Sequence, residues 1–211
     1  MDIIERLQWR YAVKKFDRER KLSRKQIDTL TTAFNLTATS YGLQPLKMLV
    51  IQDKEVQEQL VSHSMEQRQV ADASHVLVLC IEETVAGEYV NNYFDLVQDI
   101  RDTPDEVIAP FRETLVKKFE AQPAAETQEW SARQAYLAMG NLLTVCALEG
   151  IDSCPMEGFD PQGYDELLGL KERGLKSVLV LPVGYRAKND FFADLEKVRR
   201  PEEESIIYQS R

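Results

Sequence analysis

Two short cationic segments stand near opposite ends of the chain, and their spacing is the first feature that could do chemistry. Arg10, Lys14 and Lys15 lie in one, and Lys197, Arg199 and Arg200 lie in the other, just before Pro201. Arg10 and Lys14 are four apart and Lys197 and Arg199 two apart, so each pair can point one way on a helix or an extended strand. Two such pairs brought together would suit a phosphate plus a second electron-rich group. Taken singly, each segment is equally an ordinary solvated surface cluster. The rest of the charge makes the pairing notable: 26 Lys and Arg stand against 35 Asp and Glu, a formal charge of −9. A chain this acidic, with no basic stripe interleaved with aromatics, does not read as a nucleic-acid binder. An anionic cofactor would therefore need a local cation cluster of this kind.

Other chemistries find little support. No two glycines occur as GxG, so neither a dinucleotide fingerprint nor a phosphate-binding GxxxxGK[ST] loop is present. With only His63 and His75, a histidine-rich metal site is not expected. Asp72-Ala-Ser-His75 resembles a triad only on paper, because the residues are too close in sequence and no GxSxG elbow accompanies them. His75 opens an apolar run and reads as a structural histidine. Cys80, Cys146 and Cys154 sit in apolar runs without CxxC spacing, as buried small hydrophobes of a reducing compartment do. The N-terminus lacks the apolar stretch of a signal peptide, and no run approaches the roughly 18 apolar residues of a membrane helix. A cytoplasmic protein without a membrane partner is expected.

The elements that must position these residues follow from periodicity. Residues 2–8 read as a short helix ending at the first cation segment. Ser23-x-x-Gln26 is a capping-box pattern, with Ile27, Leu30, Ala33 and Phe34 as the stripe of a helix to about Asn35. A polar loop, 37–45, precedes a strand at Lys47–Ile51, and Asp53 can cap the next helix. His75–Ile81 is a buried strand or core segment. Residues 84–121 are polar with weak helical periodicity and a break at Thr103-Pro104, a helical excursion over the core. The longest helix runs from Thr127 to Leu148, nearly all apolar or small from Ala135 onward, with Gly150 as its C-terminal cap. A helix apolar all round is buried on every side, either centrally or against a second subunit. Ile151–Pro155 is a short strand, Asp160-Pro161 caps and starts a helix, and Leu175–Val183 is a central strand. Ile206–Gln209 could add a strand, to this subunit's sheet or to another's. Three or four strands among six or more helices, not in strict alternation, give an α+β fold. No internal repeat is present, and 1–211 reads as one domain.

In order and spacing, Arg10-Tyr-Ala-Val-Lys-Lys-Phe-Asp17, Ser40-Tyr-Gly-Leu-Gln-Pro45, Pro155-Met-Glu-Gly-Phe-Asp160 and Lys197-Val-Arg199 resemble the nitroreductase family. The likeness is to oxygen-insensitive NAD(P)H nitroreductases and flavin or dihydropteridine reductases. It extends to Asp72-Ala-Ser-His-Val76 and to Glu129-Trp130 followed by Tyr136-Leu-Ala-Met-Gly-Asn141, and it is weakest over 84–121. The resemblance implies a homodimer with a central, mostly antiparallel sheet flanked by helices, a C-terminal strand exchanged between subunits, and FMN at the interface. It implies that Arg10, Lys197 and Arg199 hold the phosphate and ribityl chain, with Tyr11 and Ala12 beside them, and that Lys14 sits by the flavin N1/C2 carbonyl. Thr39, Ser40, Gly42 and Gln44 would line the site, some from the partner. Pro155, Met156, Glu157 and Gly158 would run along one edge of the ring, with the amides of Glu157 and Gly158 toward N5 and O4. Glu66 and Gln69 would take the pyrimidine edge, and Tyr41 and Phe119 the substrate pocket, although Phe119 reads equally as core packing.

The activity implied is two-electron, ping-pong transfer from NADH or NADPH to nitroaromatics, quinones or pterins. Nicotinamide can stack on the flavin face, so no dinucleotide fingerprint is required. The chemistry is the flavin's, and the protein supplies positioning and electrostatics. Ala12 stands where the family usually has a small polar residue, Tyr11 where His or Arg is common, Gly42 where Asn is frequent and Leu46 where Trp is frequent. The stretch Ser64–Ala71 is also short. These departures keep a second reading open, a flavin-binding module or sensor with little turnover. A flavin-consuming or dehalogenating relative is a third, for which no extra segment is evident.

Overall fold

The computed structural model describes residues 2–209. Four antiparallel strands form one sheet: β1 (Leu46–Ile51), β2 (His75–Glu82), β3 (Asp152–Ser153) and β4 (Leu175–Gly184), in the order β1-β2-β4-β3. The two inner strands explain the apolar runs in the sequence. Val76, Val78 and Cys80 face one core cluster and Leu77, Leu79 and Ile81 face another. A strand covered on both faces has no polar side, so the usual alternation disappears. Register is fixed by Val78 opposite Val180 and Leu79 opposite Leu179, with a bulge between Leu79 and Cys80.

One face is covered by α3 (Lys54–Gln59), α4 (Gln69–Asp72), α8 (Pro161–Leu167) and the extended residues 13–16, which contribute Leu60, Val70, Tyr164, Val13 and Phe16. The other face carries α2 (Arg24–Asn35) and α7 (Ala124–Leu148). The sequence signals for these ends hold. Ser23 and Gln26 form the capping box, Asp53 accepts from the amides of Glu55 and Val56, and Asp160 caps α8 with Pro161 following. Gly150 takes a φ of +64°, left-handed backbone open to glycine. The excursion is a pair of helices, α5 (Gly87–Arg101) and α6 (Asp105–Ala121), separated at 102–104 and packed through Val90, Phe94, Leu115 and Phe119. No helix among the described residues is long and apolar enough to cross a membrane.

Two expectations are met differently. α7 begins three residues earlier than Thr127, at Ala124. It is buried on one face only, through Ala135, Ala138, Met139, Leu142 and Cys146, while Tyr136 and Leu137 are 48% and 55% exposed and a Cβ on Gly140 would meet open space. Within one chain it is therefore not a helix covered on every side. The tail contains a single helical turn, α9 (Glu202–Ser205), and then extended residues with Ile207 and Tyr208 exposed. Ile206–Gln209 pair with no strand of this chain.

Candidate active site

α1 (Ile3–Trp9) ends at Arg10, whose backbone turns extended. Residues 11–17 then run as a first arm beside the sheet's β3 edge. Val13 N–H donates to Ser153 O (3.2 Å), Asp17 N–H to Tyr185 O (2.8 Å), and Ala187 N–H to Lys15 O (2.8 Å). Val13 and Phe16 are buried. Asp152, itself buried, accepts from the backbone N–H and Nε of Arg186 (2.7 and 2.8 Å). The Arg186 guanidinium lies over the rings of Trp9 and Tyr11, 4.3 and 4.5 Å from their centroids. The second arm follows Asp190 through a short turn, Phe191–Asp194, to Arg199.

Between the arms is a cleft of about 460 Å³, lined by Trp9, Arg10, Ala12 and Lys14 on one side and Leu195, Lys197 and Arg199 on the other. The two cation pairs of the sequence thus converge. Lys197 Nζ donates to Arg10 O. None of Arg10, Lys14, Lys197 and Arg199 has a carboxylate ion pair among the described residues. Arg10 Nε is buried without a hydrogen-bond partner. Burial, and then the charge of Arg199, hold the Arg10 guanidinium below its ordinary range. Burial, then Arg10 and Arg199, do the same to the Lys197 ammonium. Crowded, partly desolvated cations of one sign are unfavourable alone and favourable around an anion. Lys14 reaches deeper, with Nζ 4.0 Å from Cys154 Sγ. Burial pushes that thiol up, against the pull of Lys14, so it stays neutral.

The strand edge beyond β3 brings up the next motif. Met156 is bound into the sheet, donating to Val180 O (2.8 Å) and accepting from Val180 N–H (3.1 Å), and its side chain is buried. Glu157 is exposed and Gly158 half-buried, and their amides donate to no acceptor among the described residues. Gly158 O accepts from Gln67 Nε2 at 3.0 Å. Residues 65 and 66 both adopt left-handed backbone (φ 53° and 58°) without a glycine to announce it. Glu66 is exposed and Gln69 is buried with its Nε2 3.5 Å from Gln67 Oε1. Gln67, which sequence reasoning passed over, meets Gly158 together with Met65.

The loop motif is not brought to the cation cleft within one chain. Thr39 and Gln44 line a separate cavity of about 320 Å³ with Tyr89 and Tyr93. Gln44 N–H donates to Thr39 Oγ1 and Ser40 N–H to Gln134 Oε1. Tyr41 and Gly42 are left-handed (φ 60° and 74°), and Tyr93 Oη packs where a Cβ on Gly42 would lie. Tyr41 sits among Phe111, Phe119 and Trp130, with Lys118 Nζ 2.8 Å from its hydroxyl. Phe119 is 3% exposed and packs on Trp130 at 5.0 Å, in the core of the excursion. His75 is buried, its Nδ1 2.9 Å from Ser74 Oγ, while Asp72 turns to Arg18 and Arg68. The paper triad does not assemble.

Sequence reasoning also missed Asp190, which accepts hydrogen bonds from both arms. Its one signal was an Asp placed before a short turn, a capping position.

A model of the nitroreductase family matches residues 7–185. The chain is 31% identical to the oxygen-insensitive NAD(P)H nitroreductase of Salmonella typhimurium, over 98% of this chain and 99% of that one. It is 31% identical to the enzyme of the same description from Enterobacter cloacae, over 95% and 96%. Among solved structures, one assigned as a nitroreductase in complex with FMN, from Exiguobacterium sibiricum, superposes with a TM-score of 0.84 at 21% identity, covering 99% and 98%. A nitroreductase family protein from Streptococcus pneumoniae gives 0.82 at 22% identity, covering 99% and 100%. The chain belongs to the nitroreductase family, a family of oxidoreductases. Its sheet, its flanking helices and the order of its motifs are those of that fold.

Proposed function

We propose that the protein is an FMN-dependent NAD(P)H oxidoreductase that works as a cytoplasmic homodimer and reduces nitroaromatics, quinones or pterins by ping-pong two-electron transfer. The observation that carries this reading is the convergence on one cleft of Lys197, Arg199 and Arg10, whose Nε is buried without a partner among the described residues. Glu196 also lines the cleft, but the three cations make no ion pair with it or with any other described carboxylate, and charge-assisted hydrogen bonds to a phosphate would satisfy what they leave open. Arg10, Lys197 and Arg199 would hold that phosphate. Lys14, with only a neutral thiol at 4.0 Å, would place positive charge by the N1/C2 carbonyl edge. The amides of Glu157 and Gly158 would face N5 and O4, and Gln67 Nε2 holds the peptide that follows them through Gly158 O. Bound FMN would supply the electron chemistry.

The relatives' names support NAD(P)H as donor and a nitro compound as acceptor, and the Exiguobacterium complex supports FMN as the flavin. The dimer is supported by the exposed Tyr136 and Leu137 of α7 and the exposed apolar tail. In such a dimer, Thr39, Ser40, Gly42 and Gln44 would serve the partner's cleft. The test is steady-state kinetics with NADH or NADPH and a nitroaromatic acceptor. Parallel double-reciprocal lines are expected, because donor and acceptor take turns in one site. Intersecting lines would contradict the shared site, and absence of turnover with a tightly bound flavin would favour the flavin-binding module that Ala12 keeps in play.

A further inference from the structure

Asp190 is a carboxylate buried to 3% exposure with no Lys or Arg side chain in ion-pair contact among the described residues. Its oxygens are taken by donors from both walls of the cleft. Oδ2 accepts from the backbone N–H groups of Lys14 (2.8 Å) and Lys15 (3.1 Å) and from the Tyr11 hydroxyl (3.1 Å). Oδ1 accepts from the N–H of Phe192 (3.1 Å), in the turn leading to Lys197 and Arg199. Burial pushes the carboxyl up, but the three amides and the Tyr11 hydroxyl outweigh it and hold the group below the usual range, ionised. Burying a charge is costly unless it is fully hydrogen-bonded, and this one is.

The placement has a consequence for the cations. Arg10, Lys197 and Arg199 repel one another across the cleft. The bond from Lys197 Nζ to Arg10 O and the pairing of residues 15–17 with 185–187 join the arms, but no ion pair among the described residues fixes the spacing of the cations. We propose that Asp190 is the positioning residue of the cleft: by binding the first arm at Lys14 and Lys15 and the second at Phe192, it sets the spacing of the cations and so the selectivity for a flavin that bears a phosphate. The inference rests on the FMN reading above. An amide at this position presents one acceptor and one donor. Its NH₂ would meet either the Phe192 N–H or those of Lys14 and Lys15, donor against donor, and the arms would part.

The test measures FMN and riboflavin affinity of the full-length wild type, Asp190→Asn and Tyr11→Phe, together with amide exchange at Lys14 and Lys15 in the flavin-free protein. For Asp190→Asn, FMN affinity should fall about tenfold or more while riboflavin changes by less than about threefold, as expected for loss of one charge-assisted contact. The Lys14 and Lys15 amides should exchange faster in the same variant. Equal losses for both flavins, or unchanged FMN affinity, would overturn the proposal. Should Asp190→Asn fail to fold, Tyr11→Phe decides: a drop of about threefold in FMN affinity alone supports it, and no change or an equal drop for riboflavin overturns it. Wild type without affinity for FMN would defeat the functional reading and this inference together. Wild type that binds FMN beside an unaffected Asp190→Asn would defeat this inference alone.

Discussion

Replacing Arg10 by methionine should separate the phosphate from the rest of the flavin. Methionine keeps most of the stem's volume and removes the guanidinium, and the backbone carbonyl that accepts from Lys197 is retained. The guanidinium is partly buried, has no carboxylate, and is held below its ordinary range by burial and by Arg199. It contributes repulsion and an unpaired Nε to the flavin-free protein, so the apo form should be no less stable without it. The bound state differs, because a phosphate monoester carries about −1.5 to −2 charges at neutral pH. A hydrogen bond to a charged group contributes about 1.5–3 kcal/mol, and each 1.4 kcal/mol is about a factor of ten. FMN affinity should therefore fall roughly tenfold to a hundredfold, taking these magnitudes together. Riboflavin, which lacks the phosphate, should bind with almost unchanged affinity. Fluorescence titration of both flavins, with thermal melts of the apo proteins, reads all three quantities. Equal losses for FMN and riboflavin, or a destabilised apo protein, would refute the reasoning and return Arg10 to an ordinary structural role.

Lys14→Met should leave FMN bound but lower its two-electron midpoint potential by about 30 mV or more, the equivalent of roughly 1.4 kcal/mol for a two-electron couple; potentiometry in which Lys14→Met matches wild type, or in which only Lys15→Met shifts, contradicts the placement. Deleting residues 201–211 should yield unfolded or aggregated protein, and a folded, monodisperse monomer by size-exclusion chromatography and light scattering would remove the tail from the dimer interface. His75 is held below its ordinary range by burial, then by Lys54 and Lys21, so the unfolded chain takes up a proton first. Its contribution to stability is complete above the unfolded value of about 6.5 and is lost as pH falls through the lower folded value. Thermal melts should show wild type losing stability below that range more steeply than His75→Asn, and parallel slopes would exclude the histidine as the cause.

What the sequence made legible was local. The Ser23 and Gln26 box, Asp53, Asp160-Pro161 and Gly150 act within a few residues of themselves, and each appears in the structure where its type implies. The all-apolar β2 run was readable because both its faces are covered. The convergence of Arg10 and Lys14 with Lys197 and Arg199 was legible as a possibility, and only the pairing of residues 15–17 with 185–187 makes it a cleft. Asp190 and Gln67 were illegible for related reasons. Asp190 acts on backbone amides more than 170 positions away, which leave no mark in side-chain spacing. Gln67 reaches Gly158 because two non-glycine residues before it take left-handed backbone and shift the register assumed for Glu66 and Gln69. The outer face of α7 reads as buried because its residues are apolar, and the described residues of one chain leave Tyr136 and Leu137 largely exposed there.

The central claim is that this cleft holds FMN and that NAD(P)H reduces it there. The most direct measurement is anaerobic titration of the FMN-loaded protein with NADH and with NADPH, followed by addition of a nitroaromatic compound, while the flavin absorbance is recorded. The expected result is one FMN per chain, bleaching by at least one of the two nucleotides, and return of the oxidised spectrum when the acceptor is added. A protein that takes up no FMN, or a yellow protein that neither nucleotide bleaches, would contradict it.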